Sequence, residues 1–113
     1  MTRLKLPHRR PAETVELAHG GMHFAVTVGF YPDGRPGEVF THGAKVGSTI
    51  DGLLDDACVV VSLLIQHGVE PGALADSIGR LGNRAPSSVI GAVVDTVAAL
   101  EANQHQAVAE AHQ

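Results

Sequence analysis

Hydrophobic and polar positions change their period along this chain, and each change marks an element. Residues 22–31 alternate strictly. Met22, Phe24, Val26, Val28 and Phe30 fall on one side, and His23, Ala25, Thr27, Gly29 and Tyr31 on the other, the period of a strand with one buried face. Pro32, Asp33, Gly34, Arg35 and Pro36 then give a turn signal, because proline sets φ and glycine tolerates a left-handed step. Residues 37–41 return as a second strand, so 22–41 reads as an antiparallel hairpin. A shorter apolar run predicts an extra strand at 14–18, joined to the hairpin through His19, Gly20 and Gly21.

Beyond residue 48 the period lengthens to that of a helix. Ile50, Leu53, Leu54, Ala57, Val60, Val61, Leu64 and Ile65 recur at steps of three and four. They predict a helix over 49–67 with this stripe toward the sheet and Asp51, Asp55, Asp56, Ser62 and Gln66 on the outer face. Ser48 or Thr49 is placed to cap its first turn, and Gly68 to end it. Pro71 opens a second helix over 71–80, and Pro86, Ser87 and Ser88 open a third over 87–102, striped by Val89, Ile90, Val93, Val94, Val97 and Leu100. The fold class expected is α+β, a small antiparallel sheet packed on a long helix that two helices follow. One domain over 13–102 is flanked by a flexible basic arm at 1–12 and a frayed C-terminal tail at 103–113.

Composition narrows the class of partner. Of 113 residues 44% are hydrophobic and 18% charged, the balance of a folded domain. With no Trp, one Tyr and three Phe the core is aliphatic, and platforms for stacking nucleic-acid bases are scarce. A net charge of −4 repels phosphate outside one basic cluster at Arg3, Lys5, His8, Arg9 and Arg10. No apolar run follows that cluster, so it does not read as a signal peptide, and no run reaches membrane-spanning length. A single cysteine leaves no intramolecular disulfide, and a cytoplasmic protein is expected.

Few residues offer chemistry. Cys58 lies mid-helix, where cysteine behaves as a small buried hydrophobe. Asp55 and Asp56 are neighbours on a helix and point about 100° apart, so they form no acid–base pair. The seven histidines show no HxH or HExxH spacing; no metal, cofactor or catalytic residue is assigned. The glycine-rich link 42–48 ends at Ser48 before a helix N-terminus, a generic anion position. Arg80 and Arg84 with Ser87 and Ser88 form the second candidate, since arginine forks and helix N-terminal amides can converge there on phosphate or carboxylate. Arg3, Lys5, Arg9 and Arg10 are the candidate contacts for nucleic acid, together with a helix-turn-helix-like corner near Gly68. The second helix of that corner offers Asp76 and Ser77 where a recognition helix carries Arg, Lys, Asn or Gln.

The order of short motifs resembles the TSCPD domain, the small module at the C-terminal end of adenosylcobalamin-dependent ribonucleotide reductases and of short stand-alone proteins. The matching pieces are FAVTVG at 24–29, DGRPGEVF at 33–40, Gly47-Ser48 before the long helix, and SLLIQHGV at 62–69, together covering about 20–82. The cysteine motif that gives the family its name is missing, since 85–90 reads APSSVI. The resemblance implies a non-catalytic accessory or regulatory module linked to nucleotide metabolism and DNA biosynthesis, which binds a reductase-related protein or a nucleotide. The alternative is a nucleic-acid-binding protein using the basic arm and the helical corner. A thin sheet with exposed edges and the Val-rich third helix predict a homodimer, with no membrane partner.

Overall fold

Strict alternation at 22–31 becomes the middle strand of a three-stranded antiparallel sheet. Its strands β1 (Ala12–His19), β2 (Met22–Phe30) and β3 (Pro36–His42) lie side by side in chain order. Helices α1 (Thr49–Gln66), α2 (Pro71–Ser77) and α3 (Val89–Ala111) complete an α+β fold. This computed structural model describes residues 2–43 and 49–111, with side chains through 103.

Local chemistry explains the turns. Gly20 and Gly21 both take positive φ, 57° and 81°, as a two-residue type I′ turn between paired His19 and Met22 requires. In the second turn Tyr31 N–H donates to Arg35 O at 2.8 Å and Gly34 N–H to Tyr31 O at 2.9 Å. Asp33 accepts the Arg35 N–H at 3.0 Å and its Nε at 2.8 Å; the backbone bond is the larger cause holding this carboxyl below the ordinary range. Pairing makes β1 longer than the 14–18 run, because Ala12 already matches Gly29.

The core takes Phe24, Val26, Val28 and Phe30 from β2, Val39 from β3, Leu54, Cys58, Val61 and Ile65 from α1, and Val93, Val94, Val97 and Leu100 from α3. The stripe of α3 expected between two copies is therefore inside one copy. On the opposite face of the sheet the Thr14 and Thr27 hydroxyls meet at 2.8 Å, and Thr27 meets His42 Nε2 at 2.8 Å.

Helix α1 departs from its reading in two ways. Its buried stripe is narrower than eight residues and turned, running Leu54, Cys58, Val61, Ile65, while Ile50, Leu53, Val60 and Leu64 remain 47%, 63%, 56% and 37% exposed. Moreover, Ser62 and Gln66 are not on an outer polar face. Ser62 Oγ accepts the Val39 N–H at 2.9 Å, with the Val39 and Cys58 carbonyls at 3.2 and 2.8 Å as acceptors for its proton. Gln66 Nε2 donates to Gly37 O at 2.8 Å. α1 thus lies along the outer edge of β3 and satisfies backbone groups that a free edge strand would expose. That contact sets the rotation of the helix and leaves half of its apolar residues outside.

The other boundaries shift for local reasons. α2 stops at Ser77, short of residue 80, because Ile78 is extended at φ −85° and ψ 149° and Arg80 bridges to Pro86. α3 runs on through Ala111, past 102, since 103–111 contains neither Gly nor Pro.

Candidate functional site

The docking of α1 on β3 opens a groove of about 410 Å³ beside the strand edge. Thr41 and Glu38 line one wall, Asp55, Val59 and Leu63 the other, with Cys58 at the floor and Arg3 at one end. Burial, followed by the nearby Asp55, pushes the Cys58 thiol up to about 11, so it stays protonated at neutral pH and is no nucleophile. Val59 is 58% exposed and gives the wall an apolar surface. The groove combines the covered edge of β3, hydroxyls, an apolar wall, the cation of Arg3 and the carboxylates of Glu38 and Asp55.

Arg3 reaches the groove because the basic arm lies against the domain. Arg3 Nε donates to Gln66 Oε1, Leu4 N–H donates to Gln66 O at 2.9 Å, and Tyr31 OH donates to Leu4 O. A Cβ on Gly37 would stand 2.5 Å from Leu6 Cδ2, so glycine is what lets Leu6 close over β3. Arg10 pairs with Glu38 and donates to Pro7 O at 2.7 Å. All four cations of the arm are exposed, and two of them, Arg3 and Arg10, are tied to side chains of the domain.

The second cluster is brought together, but its strongest group is already engaged. Arg80 makes a two-pronged pair with Asp95 of α3, Nη1 to Oδ2 at 2.7 Å and Nη2 to Oδ1 at 2.5 Å, and Nη2 also donates to Ala75 O at 2.8 Å. The hydrogen bond to Asp95 holds the Arg80 proton more firmly than usual. Arg80 therefore ties the end of α2 to α3. Arg84 is exposed with a left-handed φ of 69°. Ser87 N–H donates to Gly79 O at 3.0 Å, and Ser88 Oγ caps α3 by accepting the Gly91 N–H at 3.1 Å. Ser48 lies outside the described residues.

Sequence reasoning missed Ser62 and Gln66 as edge-binding groups. The available signal was two polar residues four apart on the flank of an otherwise apolar helix. Sequence reasoning also placed Ile50, Leu53, Val60 and Leu64 on the stripe toward the sheet, whereas their exposed fractions amount to about two whole aliphatic side chains. Leaving that much in water forgoes on the order of 3–6 kcal/mol of transfer free energy. Among the described residues no group of three His, Cys, Asp or Glu could hold a metal ion, and no helix is long and apolar enough to cross a membrane.

A protein-family model described as the TSCPD domain matches residues 2–100. A vitamin B12-dependent ribonucleotide reductase of Rhodopirellula baltica is 43% identical over 67 residues, which are 59% of this chain and 6% of that protein. The vitamin B12-dependent ribonucleotide reductases of Streptantibioticus cattleyicolor and Streptomyces clavuligerus are each 40% identical over 67 residues, again 59% of this chain, and 11% and 7% of those proteins. The chain thus spans a small fraction of the length of these curated relatives. No solved structure matches it.

Proposed function

This chain belongs to the TSCPD domain family, and from that membership we propose that it is a non-catalytic accessory module of ribonucleotide reduction in the cytoplasm, acting by binding a reductase-related protein. The observation that carries the reading is the state of the one cysteine. Reduction of a ribonucleotide by thiol chemistry needs a reactive cysteine and a reducing pair, whereas Cys58 is alone, buried and held as a thiol. What this family member offers is a surface, and the groove beside β3 has the chemistry of a site for an extended segment of a partner.

Titration of the purified chain against an immobilised vitamin B12-dependent ribonucleotide reductase tests this. Saturable binding is expected, lost in Val59→Arg, whose long side chain would fill the groove from an already exposed position without entering the core. Absence of binding, or binding indifferent to Val59→Arg, would remove the groove from the account. A thermal-shift panel of ribonucleotides and deoxyribonucleotides is the companion measurement. A nucleotide shift abolished by Arg84→Ala would move the site to the 80–88 corner instead.

A further inference from the structure

The groove beside β3 carries opposite charges at its two ends. Asp55, Val59, Ser62 and Gln66 line it in order along α1, and Arg3 is held at the Gln66 end by its Nε bond to Gln66 Oε1. Because Gln66 bonds Gly37, Ser62 bonds Val39 and Cys58 meets Thr41, the helix runs antiparallel to β3. Glu38 therefore shares the Arg3 end and Thr41 the Asp55 end. Glu38 is already paired with Arg10. Asp55 has no such neighbour on its own helix, which contains no Lys or Arg, and among the described residues no salt bridge reaches Asp55 or Arg3. Between these ends Phe40, Val59 and Leu63 are exposed, so the middle of the groove is apolar. Resting on the groove as the surface that binds the partner, we propose that its occupant is an extended segment with an acidic side chain for Arg3, a basic side chain for Asp55 and apolar side chains between them.

Helix geometry sets the spacing of those two charges. From Asp55 to Gln66 the helix rises about 16 Å, and an extended chain advances about 3.3 Å per residue, so the acidic and basic side chains stand about five positions apart. Side chains must choose the register, because the backbone of β3 is already served. Ser62 takes the Val39 N–H and Gln66 the Gly37 carbonyl, which leaves the segment no free ladder to extend along this stretch. Arg3 is available for the task. It spends Nε on Gln66, and among the described residues its two Nη groups have no partner, a fork able to take a carboxylate. A segment of uniform charge would meet its own sign at one end of the groove. The two ends together therefore select an oppositely charged pair, although each exposed contact alone is weak.

Matched charge reversals, titrated against the immobilised vitamin B12-dependent ribonucleotide reductase, test this. Asp55→Lys is compared with Asp56→Lys, the same change of net charge about 100° round the helix, and Arg3→Glu with Lys5→Glu on the same arm. Neither Asp56 nor Lys5 lines the groove, and all four residues are exposed, so circular dichroism should show every variant folded. Arg3→Gln removes the charge while keeping a polar end for Gln66, which separates loss of the cation from loss of the arm's hold. At low salt Asp55→Lys and Arg3→Glu should each weaken binding about tenfold, Arg3→Gln by less, and the two controls should bind like the parent chain. Added salt should shrink the differences. Equal effects of Asp55→Lys and Asp56→Lys, or no effect of Arg3→Glu and Arg3→Gln, overturn the assignment of charges, while loss of binding in Val59→Arg would still keep the groove as the surface. Binding indifferent to Val59→Arg removes the groove, and the segment proposed for it as well.

Discussion

Burial and the neighbouring Asp55 move the Cys58 thiol from its ordinary 9.0 up to about 11, and two consequences can be measured. The thiolate fraction near pH 8 falls about a hundredfold, so alkylation of the folded chain should be slower than that of an unfolded one by at least that factor. Because the folded state disfavours the charged form, the stability this group contributes is intact below pH 9 and is lost as pH rises toward 11. Cys58→Ala should make the alkaline fall in melting temperature shallower over that window. Gly37 is the second informative residue. A methyl group there would meet Leu6 at 2.5 Å and Tyr31 at 2.8 Å, so Gly37→Ala should cost about 1–3 kcal/mol in denaturant unfolding. An unchanged midpoint would mean that residues 3–6 do not rest on the domain. Neither contact could be read from the sequence, where Leu6 sits in a run of charge and proline without a period.

Among the elements, legibility followed periodicity. β2 was readable because alternation assigns its two faces without any knowledge of the partner, and both turns because glycine appears where positive φ is needed. The existence of α1 was readable too, but its rotation was not. A helix apolar on two adjacent lines gives no way to choose between them, and the choice was made by Ser62 and Gln66 binding the edge of β3. Ser62→Ala should therefore destabilise by about 1–3 kcal/mol, since it strands the Val39 N–H at a covered edge. Ser77→Ala, on an exposed turn where the hydroxyl only bonds back to Ala73 O, serves as the control that should change little. The corner of Arg80, Arg84, Ser87 and Ser88 reads as an anion site in sequence, yet its strongest cation is taken by Asp95. No motif announces a partner fifteen residues away. Arg80→Ala and Asp95→Ala should each lower the melting temperature, with the double variant falling by less than their sum.

For the whole molecule, charge bears on which partners are disfavoured. The net charge is −4, and Arg3 and Arg10, though exposed, are engaged by Gln66 and Glu38, which disfavours a phosphate backbone as partner. Duplex DNA should accordingly bind weakly and without the steep salt dependence that many phosphate contacts confer, which fluorescence anisotropy at two salt concentrations would register. The family resemblance carried by short motifs at 20–82 extends, in the family-model match, to residues 2–100, so the arm and third helix belong to the same module. The role proposed for this module is to assist ribonucleotide reduction without performing it. Its most direct test is a reductase assay run with this chain alone, with a vitamin B12-dependent ribonucleotide reductase alone, and with both. No deoxyribonucleotide is expected from the chain alone, and the turnover of the reductase should change and then saturate as the chain is added. Product from the chain alone, or identical turnover with and without it, would rule out the accessory role.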